Sequence, residues 1–240
     1  MSPQQIIQAL QEQIERRDAH TERECAEHLS HIAWVLLTVL HSTYFVSREL
    51  NCQAGRADLT IIADRIQPGG DSRRIAYVWE LKAPQLYLFE LESNSQACPC
   101  TGLFKAENQL LHYYEFLAND GSFRDRWEII SNHDVYLGGI IIGRDANLVR
   151  CDDEQVVLAT HLARQALRIR ERIFYGRNNI HLWTWDRVLS IAESHGVSHQ
   201  RITGDPTESI DVTASVPYTE PPNEEPQEED FERYLDIPTE

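Results

Sequence analysis

The segment Tyr77-Val78-Trp79-Glu80-Leu81-Lys82 constrains the fold more than any other part of the chain. Its β-rich, apolar composition predicts a strand over residues 75–81, and side chains alternate between the two faces of a strand. Tyr77, Trp79 and Leu81 therefore share one face. Glu80 and Lys82 project together from the other, about 7 Å apart. An acid and a base at the end of an apolar strand call for a sheet covered on both sides and a site that uses the pair.

The surrounding pattern supplies such a sheet. Ser2-Pro3-Gln4-Gln5 opens a helix with a capping box, and Ile6, Ile7, Leu10 and Ile14 carry it to about residue 17. Thr21-Glu22-Arg23-Glu24 opens a second, whose apolar positions Cys25, Leu29, Ile32, Val35, Leu36 and Val39 predict a helix to about residue 41. Strands follow at 44–50, 57–63 and 75–81, with a turn at Pro68-Gly69-Gly70-Asp71. Residues 83–104 read as an irregular insertion and 105–117 as a helix. Beyond them come a buried strand at 135–142, a long arginine-rich helix from 156 to about 175, a short strand at 180–184 and a helix from 185 to about 194. Three short-linked strands suggest antiparallel neighbours, and the crossover helix before 135 suggests a parallel pair. The expected class is α/β, a mixed β-sheet flanked by helices. The expected division is an N-terminal amphipathic helix (1–20), a main domain (21–200) and an acidic tail (201–240).

The net charge of −16 is unevenly spread. Residues 201–240 hold twelve acids against Arg201 and Arg233, whereas the first 200 residues carry 26 acids and 20 bases. The tail, rich in Pro, Glu, Thr and Ser, reads as a disordered, solubilising terminus, with mimicry of DNA as the alternative. The body is mildly acidic, which a cation-collecting site tolerates. Five cysteines in odd number and irregular spacing predict free thiols, and Cys98-Pro99-Cys100 lacks the further ligands of a zinc site. With no long apolar run and no signal-like N-terminus, the expectation is a cytoplasmic protein outside the membrane.

Chemistry concentrates on two strands and one helix. If Asp58 stands on the strand beside Glu80, the two carboxylates offer oxygen ligands to Mg²⁺, with Mn²⁺ a possible substitute. Such an ion lowers the pKa of a bound water and neutralises charge on a phosphate, and Lys82 would orient that water or stabilise the transition state. The alternative is an edge-strand Glu/Lys ion pair. Gln109 and Tyr113, at i and i+4, share a helix face that would reach the same place; taken alone, they are a half-buried glutamine and a tyrosine.

D-(x)n-E-x-K followed by a helix bearing Q-x-x-x-Y resembles the PD-(D/E)XK nuclease superfamily. The segments Trp79-Glu80-Leu81-Lys82-Ala83-Pro84, Gly139-Ile140-Ile141-Ile142-Gly143-Arg144 and Ile180-His181-Leu182-Trp183-Thr184-Trp185-Asp186 are most similar to the Shedu-type antiphage defence nuclease domain, over roughly residues 45–193. The resemblance implies a restriction-endonuclease-like fold and an oligomeric enzyme that cuts foreign DNA with a divalent metal. It assigns Asp58, Glu80, Lys82 and Gln109 to catalysis, and Asp58 and Glu80 to the metal. Ala57 replaces the proline expected before the aspartate.

Many such nucleases add a glutamate from the first core helix. Glu24, Glu27 and Glu49 are candidates, and Glu27 is the one chosen, although it reads equally as a solvated surface charge. Lys105, Tyr113, Arg164, Arg168 and Arg172 are candidate nucleic-acid contacts; the three arginines recur at i, i+4 and i+8, as a solvated or subunit-contact face also would. His181, His195 and His199 lack ligand spacing. RNA stays open as substrate. A catalytically silent relative that binds nucleic acid or a partner is the competing function, and a regulatory partner protein the third.

Overall fold

A computed structural model describes residues 2–16, 21–37, 41–52, 55–93 and 96–195. The elements run α1 (Pro3–Glu15), α2 (Thr21–His31), a 3₁₀ turn (Ala33–Leu36), β1 (His41–Cys52), β2 (Gly55–Ile66), β3 (Ser72–Leu81), β4 (Phe89–Ser93) and β5 (Gln96–Pro99). They continue with α3 (Thr101–Asn119), α4 (Gly121–Arg126), β6 (Val135–Ile141), β7 (Val149–Arg150), α5 (Val156–Arg170), a π-helical turn (Glu171–Tyr175), β8 (His181–Trp183) and α6 (Trp185–His195).

The main sheet has the order β1-β2-β3-β6-β8. Strands β1, β2 and β3 are antiparallel neighbours, while β6 runs parallel to β3 and β8 parallel to β6. The chain is thus mixed α/β with a mixed sheet flanked by helices, as the strand order predicts. Because both faces are covered, β3 buries both sets of alternating side chains. Ala76 and Val78 join Ile62 and Ile140 in a core beneath α3 and α5. Trp79 and Leu81 join Leu59, Ile61, Ile141 and Trp183 in a second core with α1, α2 and α6. The N-terminal helix belongs to this second core through Ile6, Ile7, Leu10 and Ile14, and its Ser2 capping box is formed.

Trp79 needs glycine on the neighbouring strand. A Cβ on Gly139 would meet the Trp79 ring at 2.8 Å and the His181 carbonyl closer still, so β6 could keep its place only by pushing β8 away. Gly139→Ala should lower stability by about 2 kcal/mol. A melting temperature within a degree of wild type would show that the sheet absorbs the methyl group.

Several boundaries differ from the sequence expectation. The second helix stops at His31, and a 3₁₀ turn carries the apolar pattern to Leu36. Residues 83–104 are not irregular: β4 and β5 pair with β7 in a small second sheet of order β5-β4-β7, and α3 begins at Thr101 rather than at 105. The arginine-rich helix ends in a π turn that carries Tyr175 inward. The tail (201–240) and His199 lie outside the described residues. No helix among those described is long and apolar enough to cross a membrane.

Candidate functional site

The antiparallel register pairs Thr60 with Val78 and Leu59 with Trp79, so one step further Asp58 falls opposite Glu80. There the ladder gives way to side-chain bonding: the Leu81 N–H donates to Asp58 Oδ2 at 2.9 Å. Lys82 is held through its backbone. Its N–H donates to the Ile141 carbonyl at 2.8 Å, and its own carbonyl accepts from the Trp185 indole N–H at 2.8 Å. Its Nζ then lies 2.5 Å from Glu80 Oε1. The strand end is fixed on three sides, by β2, β6 and α6.

The cluster is short of positive charge. Glu80 is 1% exposed, and its Oε2 has no hydrogen-bond donor. Burial, then the Asp58 carboxylate, pushes Glu80 up to about 8, although Lys82 works against both. Asp58 is also raised, by burial, despite the Leu81 N–H and Lys82. Burial works to lower Lys82, but Glu80, Asp58 and Glu22 outweigh it and hold the ammonium charged above its ordinary range. One ammonium thus faces two buried carboxylates in contact.

Helix α3 closes the far side. Gln109 and Tyr113 bond to each other, and burial followed by the field of Glu80 raises the Tyr113 phenol. Tyr113 is almost fully buried. It lies against Gly55 at the start of β2, where a Cβ would stand 3.6 Å from the Tyr113 hydroxyl oxygen. The structure therefore brings Asp58, Glu80, Lys82, Gln109 and Tyr113 together.

It also brings in a residue the sequence reading passed over. Glu22, in the first turn of α2, accepts from the Ala83 N–H and faces Lys82 and Asp58; burial raises its pKa. Glu27 lies elsewhere, exposed and 3.8 Å from Arg48. Glu24 pairs with Arg16 and Glu49 with Arg56. The structure thus sets Glu22, and not Glu27, beside Asp58 and Lys82. It is the N-terminal end of α2, not its middle, that meets the end of β3. The capping box held the usable signal, since it already set Glu22 in a first turn.

The candidate phosphate contacts separate. Lys105 is exposed on α3, one turn before Gln109 on the same face. Arg164, Arg168 and Arg172 are exposed on α5 and its π turn. The C-terminal end of α5 is tied to α3 through Glu107, which accepts from Arg170 at 2.6 Å and from the Tyr175 hydroxyl at 2.5 Å. Glu107 and Gln109 point to opposite sides of α3, since two residues turn an α-helix by about 200°. The arginine stripe is thus across α3 from the carboxylates. His181, half-buried, packs against Trp79 and Trp183. The described cysteines, Cys25, Cys98, Cys100 and Cys151, are free thiols.

Among the described residues, no group of three or more His, Cys, Asp or Glu is placed to hold a metal ion. Mg²⁺ does not require one, because it binds through one or two carboxylates and completes its octahedron with waters and phosphate oxygens. The donor chemistry fits: Glu80 Oε2 is a buried oxygen without a donor, set against a second carboxylate and undercompensated by Lys82. No protein-family model matches the chain, and no curated protein matches it.

Proposed function

We propose that the protein is a metal-dependent nuclease of the PD-(D/E)XK type that hydrolyses DNA phosphodiester bonds, acting in defence against phage or other foreign DNA as a Shedu-like enzyme. The observation that carries this reading is the convergence of Asp58, Glu80 and Lys82 on one strand end, with a buried carboxylate oxygen left without a donor. On this reading Asp58 and Glu80 would hold Mg²⁺ or Mn²⁺, and Glu22, which faces Lys82 and Asp58, would take part through a water. The ion would supply Lewis-acid polarisation of the scissile phosphate and a water of lowered pKa.

The chain's own groups have definite tasks. Lys82 Nζ donates a hydrogen bond to the attacking water or to a phosphate oxygen, stabilising charge as it develops. The water oxygen forms the new bond to phosphorus as it gives up a proton to bulk solvent, the bond to the leaving sugar oxygen breaks, and that oxygen takes up a proton from solvent. The Gln109 amide, held by Tyr113, orients the water or phosphate. Lys105 meets the backbone on the open side of α3. The reading extends to a cytoplasmic homo-oligomer.

The Lys82–Glu80 ion pair and the near-complete burial of Glu80 favour one alternative, a catalytically silent member of the same fold that binds nucleic acid or a partner. Supercoiled plasmid and a matched RNA, incubated with Mg²⁺ or Mn²⁺ at several salt concentrations, separate the two. The nuclease reading expects metal-dependent nicking or linearisation that disappears in Asp58→Ala. Intact plasmid and RNA with wild-type protein under every condition would sink it.

A further inference from the structure

Of the ten large apolar side chains exposed among the described residues, five lie on one element: Val156, Val157, Leu158, Ile169 and Ile173, on α5 and its π turn. Single exposed aliphatics are ordinary on a protein surface; their concentration is not. The same stretch carries Arg164, Arg168, Arg170, Arg172 and Arg177 in a chain of net charge −16. Arg170 turns inward to Glu107. Arg164, Arg168 and Arg172 make no ion pair among the described residues.

The two features form adjacent stripes. Arg164, Arg168 and Arg172 recur at i, i+4 and i+8 along one exposed edge of the helix. Leu158 and Ile169, three turns apart, begin a second exposed edge, and Ile173 extends it at 52% exposure. Ala159 and Ala163 are buried on the core side of the aliphatic edge, and Leu162 is the buried member of that edge. The π turn supports this arrangement: its extra residue lets Tyr175 reach Glu107 while Ile173 stays outside.

We infer that this outer face of α5 docks an acidic, amphipathic helix of a partner protein. Carboxylates of the partner would meet the arginine stripe, and its apolar side chains would cover Leu158, Ile169 and Ile173. Charge complementarity selects an acidic partner, and the aliphatic stripe selects a protein over a nucleic acid, whose phosphates leave exposed isoleucines uncovered. The position agrees, since this face lies across α3 from the carboxylate cluster. The inference does not depend on nuclease activity.

The test is fluorescence anisotropy of the full chain without metal. The probe is a labelled synthetic helix of about 18 residues with one leucine stripe and one glutamate stripe; a scrambled peptide of the same composition and a 20-base-pair duplex serve as competitors. Binding is expected near the micromolar range, at least about tenfold tighter than for the scrambled peptide. Ile169→Ser/Ile173→Ser and Arg164→Glu/Arg168→Glu should each weaken it about tenfold or more, while Asp58→Ala leaves it unchanged. All substituted side chains on α5 are exposed, so circular dichroism and melting should match wild type. Equal binding of both peptides, or no binding, overturns the inference. So does a duplex bound through the arginines and indifferent to the isoleucine changes, which would make the face a nucleic-acid surface.

Discussion

Lys82→Met is expected to lower metal-dependent plasmid cleavage by about 10³-fold or more while leaving the protein folded. The expectation follows from position: Nζ is the cationic donor at the carboxylate pair, and the Lys82 backbone is held by Ile141 and Trp185 whatever its side chain. The long apolar stem of methionine retains the packing. On the proposed nuclease reading the ammonium would act on charge that develops in the transition state, so the loss should fall on kcat and leave KM for DNA little changed. Lys82→Arg should restore little, because the larger planar guanidinium would engage Glu80 through its fork and could not place a compact donor where Nζ stands. Wild-type rates in Lys82→Met would remove Lys82 from catalysis and leave it as the counter-charge of Glu80.

In the metal-free protein, Glu80→Gln should raise stability at neutral pH and abolish most of its pH dependence below about 8. Glu80 binds its proton more tightly folded than unfolded, because burial and Asp58 disfavour the anion. Its contribution is therefore full below the ordinary glutamate range, and it is lost as pH rises through about 8. The unfavourable term at neutral pH is on the order of 2 to 4 kcal/mol, from the free energy per unit of pKa shift reduced for the coupling to Asp58. Titrating EDTA-treated protein by thermal melting should show wild type losing stability from about pH 5 to 8. Glu80→Gln should lose less over this range, keeping only the smaller dependence that the raised Asp58 and Glu22 carboxyls contribute. Mg²⁺ or Mn²⁺ should then raise the melting temperature of wild type and not of the variant. Parallel melting profiles for the two proteins would mean that the carboxylates are already compensated, and the case for a cation there would fail.

The parts of the site legible in the sequence share a physical origin. Glu80 and Lys82 project together because a strand repeats every two residues, and Gln109 and Tyr113 because a helix brings i and i+4 to one face. Both relations are local. Glu22 is not. The apolar series Cys25, Leu29, Ile32, Val35 and Leu36 stays in phase across the change from α-helix to 3₁₀ turn, so it marked one long helix and drew attention to its middle. The small sheet was hidden for a similar reason: β7 is two residues long and becomes a strand only by pairing with Phe89 and Glu90, some sixty positions earlier.

The arginines of α5 divide the same way. Their spacing showed that Arg164, Arg168 and Arg172 share a face, but not which way that face looks. The Glu107–Arg170–Tyr175 contact sets it across α3 from Gln109. The mixed α/β class, the covered sheet and the shared face of Glu80 and Lys82 are legible in the chain, because backbone periodicity and apolar burial act over a few residues. Only the tertiary structure decided that Asp58 stands opposite Glu80, that Glu22 and not Glu27 joins them, and that the arginine stripe faces away. Those relations depend on strand register and on how helix ends pack against strand ends, which arise from contacts between segments distant in the chain.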